Sequence, residues 1–538
     1  MQRRKNMKKE IDVSEREAYF VGGGIASLAG AAFLIRDGKM PAENIHILEK
    51  LDVLGGAMDG AGNPEDGYVI RGGRMYTQFA DRPAYECMRD LFRSVPSLDD
   101  PEISVLEKTR EFNKGMSTNA VTRLVGEDGE RINAALYQLT DQHRLALTRL
   151  FLTPEPELGN KKIKDYFSES FFDTNFWYLW ATVFAFQPWH SVAEMRRYMN
   201  RFMQEFERLH NLGGIDRTKY NQYDSQILPL QKWLQDKGVN FKTRCIVKDM
   251  DISTNKQSKT VETIYYTLAG DKKEINIDPT DLVFVTNGSM TDGSDLGSMT
   301  EAPQLNEKGA SFELWKNIAE GNPEFGNPAK FSDHIEKTKW ESFTVTLKNK
   351  ELFDHIIEFT EEEPGNGLTT FVNSSWLMST VVAEQPHFKN QPDDVKIFWG
   401  YGLYPEEKGD YVDKKMEDCT GEEILKELCY HLQCTDKLPS ILEDVNCIPC
   451  MMPFITAHFM PRKIGDRPRV VPKTSNNLAF LGQYAELPND VVFTVEYSIR
   501  SAQTAVYNLL ALNKKVPPIN EYQFDIRVLL SSLLHSYK

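Results

Sequence analysis

The stretch Ala18-Tyr19-Phe20-Val21-Gly22-Gly23-Gly24-Ile25-Ala26-Ser27-Leu28-Ala29-Gly30 decides how this chain is read. Four apolar residues suit a buried strand, and 25–36 reads as the helix that follows it. Between them stands Gly22-x-Gly24-x-x-Ser27, a variant of the dinucleotide fingerprint with serine in the third glycine position. The first glycine permits a tight turn, and the second lets a pyrophosphate approach the backbone at a helix N-terminus. A small third residue, here Ser27, keeps helix and strand close. The next strand, 44–48, ends at Glu49, about 25 residues beyond Gly24. An acidic side chain at that point accepts the hydroxyls of an adenosine ribose. Strand, turn, helix, strand and terminal acid in this order predict a bound dinucleotide; a glycine turn in a ligand-free sheet is the plainer alternative.

Working outward, residues 50–62 hold Gly55, Gly56, Gly60 and Gly62, a density that serves close backbone approach rather than a core. Tyr68-Val69-Ile70 reads as a strand and leads into Arg71-Gly72-Gly73-Arg74, whose arginines suit phosphate or carboxylate. Residues 79–93 read as helix, 102–125 as strands, 136–152 as helix, and 165–206 as an aromatic- and arginine-rich helical region. A helix ending near Gly238 precedes a strand meander over 239–285, closed by Val285-Thr286-Asn287-Gly288. Residues 302–444 look like a second α+β unit. Residues 476–482 return to an apolar strand, and 494–512 form a helix with the small face Ser498, Ser501, Ala502 and Ala505. In the tail, Ile526, Leu529, Leu530, Leu533 and Leu534 share one helical face, expected to dock on the body, pair with another subunit or lie on a membrane.

The chain has 538 residues, enough for two to four domains. With 63 basic and 78 acidic residues the net charge is −15, which disfavours a nucleic-acid partner. Residues 1–17 read as a polar, disordered lead-in without the apolar core of a signal peptide. The most apolar run, 176–186, is too short to span a bilayer, so the cytoplasm is the expected location. Seven scattered cysteines fit reduced thiols, and Cys447-Ile448-Pro449-Cys450 reads as buried structural thiols. No metal site is expected.

Several longer blocks carry a resemblance. Gly55-Gly56 with Asp59-Gly60-Ala61-Gly62-Asn63-Pro64-Glu65-Asp66-Gly67-Tyr68, then Arg71-Gly72-Gly73-Arg74, is similar to the oleate hydratases, once called myosin-cross-reactive antigens. Trp180-Ala181-Thr182, Trp189-His190-Ser191, Tyr220-Asn221-Gln222-Tyr223-Asp224-Ser225, Trp399-Gly400-Tyr401-Gly402 and Pro449-Cys450-Met451-Met452-Pro453 agree, as does Asp490-Val491-Val492-Phe493-Thr494. The likeness runs from about residue 18 to 510.

The resemblance implies an α/β fold: a discontinuous, Rossmann-like, two-dinucleotide-binding FAD domain over 18–130, 215–300 and 445–512. It further implies a helical lid region over 131–214, an α+β substrate domain over 301–444 and a C-terminal helical tail over 513–538. The implied activity is addition of water to the cis double bond of oleic acid and related unsaturated free fatty acids. The product is 10-hydroxystearic acid, and FAD is required without net redox change. The implied protein is a cytoplasmic homodimer or monomer with transient membrane-surface contact. The flavin pocket would involve Gly22, Gly24, Ser27, Glu49, Gly55, Gly56, Arg74, Asn287, Gly482 and Val491.

Hydrating an isolated alkene needs a proton on one carbon and water on the other, in a dry cavity that tolerates carbocation character. The family's proton-donating tyrosine maps to Tyr198, with Tyr223 as the fallback; a core phenol is the plainer reading of either. Thr456 and His458 are candidates for meeting the carboxylate. The family's water-activating glutamate follows the second arginine of Arg-Gly-Gly-Arg, and here that position is Met75. Methionine cannot accept a proton. Either Asp81, Gln78 or a flavin-held water positions the nucleophile, or the enzyme is slow with another unsaturated substrate, or the site does something else. Two other functions stay open on this scaffold: a redox flavoenzyme acting on a lipid-like substrate, and a lipid-binding protein with a structural flavin. Substrate alone bleaches oxidised flavin in the first of these, and no product forms in the second.

Overall fold

The computed structural model describes residues 12–72, 84–116, 118–254 and 258–537. Its first sheet has five parallel strands in the order Leu478–Leu481, Leu282–Thr286, Ala18–Val21, Ile45–Leu48, Asn240–Lys242. Near-continuous apolar strands are what a parallel sheet covered on both faces requires. Phe20 of the central strand stacks on Phe284 of its neighbour at 4.4 Å. The helix Ile25–Arg36 lies directly on this pair, because Gly30 has no side chain; a Cβ there would come within 2.5 Å of the Phe20 ring. The same helix packs against Val495–Leu509, whose small face is buried. The fold is α/β with a Rossmann-like parallel sheet.

An antiparallel meander, Cys245–Thr254, Lys259–Leu268 and Asp271–Asn276, follows the edge strand. The second large sheet has eight strands, in the order Asp295–Leu296, Val445–Met452, Trp340–Leu347, Lys396–Gly402, Met378–Val381, Leu368–Phe371, Leu124–Val125, Arg131–Ile132. It draws strands from beyond the expected 301–444 segment on both sides. Val445–Met452 pairs along its length with Trp340–Leu347, so the chain rejoins the parallel sheet only at Leu478. The hairpin Ala61–Asn63 and Gly67–Val69, with the segment after it, packs on the eight-stranded sheet: the amides of Tyr68 and Ile70 donate to Thr346 Oγ1 (2.9 Å) and Thr344 Oγ1 (3.3 Å).

Of the strands expected over 102–125, the Leu124–Val125 end is a strand and the first part is a correction. Val105–Lys114 is a helix, opened by a closed capping box between Ser104 and Glu107. Val105, Leu106 and Thr109 face the core at helical spacing, so burial and capping both outweigh strand propensity. The aromatic region forms two helices, Asn175–Phe184 and Val192–Arg201. The tail helix Ile526–Ser536 docks through Val528, Ser532 and Ser536 onto the 3-10 segment Met203–Arg208, while Ile526, Leu530, Leu533 and Leu534 stay exposed. Its serine face, not the leucine face, meets the body. Among the described residues no helix is long and apolar enough to cross a membrane.

Candidate functional site

The loops at the C-terminal ends of the parallel strands line a cleft that is open to solvent. Gly22 leaves the first strand at φ +97°, a conformation that favours glycine, and its Cα faces Thr286 closely enough that a Cβ would come within 3.2 Å. The Gly23 amide donates to Glu49 Oε2 at 2.6 Å, and the Leu51 amide to Oε1 at 2.8 Å. Glu49 is thereby aimed across the turn. Burial raises its carboxyl above the ordinary value, opposed by the amides of Leu51 and Gly23.

Gly24 caps the helix Ile25–Arg36 without a side-chain hydrogen bond, and this N-terminal turn lines the cleft. Gly56, at φ +59°, lies against Gly24 so tightly that a Cβ would meet the Gly24 Cα at 3.1 Å. A second helix N-terminus, Thr494 and Val495, lines the same cleft. Two uncrowded backbone walls, a helix start and a directed carboxylate fit a dinucleotide with a central pyrophosphate.

Gly22, Gly24, Glu49, Gly55, Gly56 and Gly482 all line this cleft. Three residues expected in it do not. Ser27 is buried behind the turn, 3.5 Å from Thr286 Oγ1. Asn287 is fully buried and donates to the Tyr484 carbonyl at 3.2 Å, while its neighbours Thr286 and Gly288 form the wall. Val491 is fully buried, and that segment reaches the cleft only from Phe493. Arg74 and Met75, like Gln78 and Asp81, lie outside the described residues. Arg71 does line the cleft, held by Asp59 Oδ2 (2.7 Å) and Ser294 Oγ (2.7 Å). Sequence reasoning chose Arg74 of this pair and passed over Arg71, although both stand in the same motif.

Tyr198 lies beside the second wall. It is fully buried among Phe184, Phe186 and Phe459, with ring centroids 5.1 to 5.5 Å away. Its hydroxyl oxygen accepts the amide of Phe493, a cleft residue, at 2.8 Å. Among the described residues the hydroxyl proton has no acceptor. Burial raises the phenol well above its ordinary pKa, opposed by the Phe493 amide and reinforced by Glu194, so the proton stays on at any working pH.

His458 is also fully buried, stacked on Phe493 at 5.8 Å, and among the described residues neither ring nitrogen has a hydrogen-bond partner. Burial, then Arg467 and His190, hold it well below its ordinary pKa and therefore neutral. Thr456 differs from expectation: its hydroxyl donates to the Thr338 carbonyl at 3.0 Å, so its proton is committed to the fold. Tyr223 stands elsewhere, half-buried at the start of the π-helical turn Tyr223–Ile227 and against Gly60.

Under Tyr198 runs a buried ion network that sequence reasoning missed. Glu194 pairs with Arg462 (2.8 Å) and Arg467 (3.0 Å), and Arg197 pairs with Glu155 and Glu486. Burial opposes the Glu194 charge, yet Arg467 and Arg462 pull its pKa down to about 2. Removing one member of such a network costs about 3–5 kcal/mol, because its partner stays buried and charged. The network fixes the helix Val192–Arg201 and with it the position of Tyr198. His190, fully buried beside Phe459, accepts the Gln187 amide through Nδ1 at 3.0 Å, and burial lowers its pKa to about 3.

The fold and cleft define an α/β protein of the dinucleotide-binding class. A solved oxidoreductase from Methanosarcina mazei shares this fold, with a TM-score of 0.51 at 11% identity, covering 91% of this chain and all of that one. The sequence pattern of the MCRA family matches residues 15–507, and the chain belongs to that family. It is 40% identical to an oleate hydratase of Streptococcus pyogenes serotype M49 (strain NZ131), over 98% of this chain and 91% of that protein. It is 36% identical to a linoleate hydratase of Lactiplantibacillus plantarum, over 91% and 93%.

Proposed function

We propose that this chain is an FAD-containing hydratase of unsaturated free fatty acids, converting oleic acid to 10-hydroxystearic acid. Its family membership and its two hydratase relatives support the reaction class. The observation that carries the site assignment is the Tyr198 hydroxyl: buried in aromatic rings, aligned by the Phe493 amide at the cleft wall, and holding a proton with no acceptor among the described residues. FAD would be held by Gly22, Gly24, Glu49, Gly55, Gly56 and Gly482, with Arg71 on the glycine-rich side. When bound, the flavin would supply a fixed polar surface at the cleft that helps order water and the reacting alkene.

Tyr198 delivers its proton to one alkene carbon. Water adds to the other carbon and loses a proton, which restores the phenol, so atoms and charge balance with no electron transfer. The surrounding rings exclude other water and stabilise the developing positive charge through their negative faces. His458, neutral and with a free ring N–H, is the group we assign to the fatty-acid carboxylate. Met75 contributes no base, so the water is oriented by another group. The exposed leucines of the tail helix are the surface we assign to transient contact with a membrane, from which the substrate comes.

The test is incubation of FAD-loaded protein with oleate in ¹⁸O-labelled water, followed by mass spectrometry. One labelled hydroxyl and a flavin that stays oxidised are expected. Flavin bleached by substrate alone, or no product from oleate, linoleate or palmitoleate with or without reductant, would overturn the reading.

A further inference from the structure

Tyr198 and His458 sit on separate elements: Tyr198 in the helix Val192–Arg201, His458 in the short 3-10 turn Ala457–Phe459. A turn that short builds no ladder of its own, so its buried carbonyls need partners from elsewhere. Two of them are tied to the start of the Tyr198 helix. The Phe459 carbonyl accepts the amide of Ser191, the N-cap residue, at 2.8 Å. The His458 carbonyl accepts Arg467 Nη2 at 2.6 Å, and Nη1 of the same guanidinium reaches Glu194 Oε1 at 3.0 Å. Glu194 stands one helical turn before Tyr198.

Arg467 is fully buried, and its guanidinium lies over the Phe331 ring at 5.7 Å. A guanidinium presents its donors in one rigid plane, which fixes an angle as well as a distance; a lysine ammonium does not. One plane thus joins the backbone under the imidazole to the helix that carries the phenol. Both rings also meet Phe459, His458 at 4.2 Å and Tyr198 at 5.5 Å between centroids. The two carbons of an alkene are one bond apart, and a displacement of about 1 Å costs a reacting geometry about 100-fold. A carboxylate anchored at one residue and an acid fixed at the other therefore discriminate between those carbons.

We propose that Arg467 is a positioning residue: by holding His458 and Tyr198 at one separation, it selects which alkene carbon takes the proton. The inference rests on the reading of Tyr198 as proton donor and His458 as partner of the carboxylate. Arg467 acts through these two residues and transfers no proton itself.

The test compares the hydroxy-acid isomers formed from oleate by FAD-loaded wild type, Arg467→Lys and Glu194→Gln. Lysine keeps the buried charge and loses the fork, while glutamine keeps the shape of the acceptor and loses its charge. The wild type should favour 10-hydroxystearic acid over the 9-hydroxy isomer by about 100-fold or more, and each variant by about 10-fold or less. A residue that only stabilises the fold would lower turnover and leave this ratio alone. The wild-type ratio in both variants would therefore overturn the proposal. Loss of flavin and of the native far-UV spectrum in both would also overturn it, by assigning Arg467 to the fold. No hydroxy acid from the wild type would sink the hydratase reading and this inference with it, whereas an unchanged ratio sinks this inference alone.

Discussion

Tyr198 owes its proposed role to one oxygen atom. The Phe493 amide, 295 positions away in sequence, fixes that oxygen at the cleft wall, and among the described residues its proton has no acceptor. Tyr198→Phe keeps the ring packing and removes only the hydroxyl. It should lower kcat by about 100- to 10,000-fold, the usual span for a general acid, with flavin content and far-UV spectrum unchanged. A variant with wild-type turnover would remove Tyr198 from the chemistry.

A second residue-scale consequence concerns acid. His190 has a folded pKa of about 3 and His458 lies well below its ordinary value, so both are buried neutral. The unfolded chain takes up these protons first, near pH 6.5. Their contribution to stability is therefore complete above that pH and is lost as pH falls from 6.5 toward 3. Each histidine adds a slope of about 1.4 kcal/mol per pH unit in that window. Urea unfolding at pH 7.5, 6 and 5 should show that slope, and His190→Asn should reduce it by one proton's worth. An unchanged slope would mean that His190 is protonated in the fold.

At the scale of elements, much was legible. Strand, turn and helix at 18–36 are encoded by neighbours in sequence: an apolar run, glycines that reach φ +97°, and a Gly30 that admits the Phe20 ring. The parallel strands at 45–48, 282–286 and 478–481 announce themselves because both sheet faces are covered and all their residues but His46 and Thr286 are apolar. The helix at 105–114 was written just as locally, in Ser104-x-x-Glu107, but its apolar residues also fit strands. What could not be read was partner choice. Thr456 bonding to Thr338, Val491 sinking behind the wall, and Glu194 finding Arg462 and Arg467 depend on elements brought together only by the completed sheets.

The same local logic yields an element-scale prediction. Gly56 combines positive φ with a Cβ position 3.1 Å from the Gly24 Cα, so Gly56→Ala must push the two turns apart. The cost is about 1–2 kcal/mol of stability, which a protein this size tolerates. The turn that should receive the pyrophosphate is displaced, however. Protein purified from Gly56→Ala should be folded but retain less than about a tenth of the wild-type flavin absorbance. Full flavin loading would show that the packing of these two turns does not shape the pyrophosphate site.

At the scale of the molecule, the unbalanced feature is the tail. A net charge of −15 keeps the chain apart from anionic surfaces. Yet Ile526, Leu530, Leu533 and Leu534 are half or more exposed on one short helix, with Phe524 and Tyr537 beside them. The helix holds itself to the body by other means: Ser532 donates to the Met203 carbonyl, Arg144 donates to the Ser536 carbonyl, and the Arg144 guanidinium covers the Tyr537 ring at 4.2 Å. The leucines can therefore be changed without undocking it. An amphipathic helix lying in a lipid interface gains from buried apolar area, and losing three leucine side chains costs several kcal/mol of that gain. The triple variant Leu530→Ser, Leu533→Ser, Leu534→Ser should keep its unfolding midpoint and its rate on dispersed oleate. Its co-sedimentation with zwitterionic vesicles should fall at least 10-fold, and its rate on vesicle-borne oleate should fall with it. If instead the wild type is a dimer by light scattering, the variant a monomer, and vesicle binding the same in both, the leucines serve self-association and the membrane assignment fails.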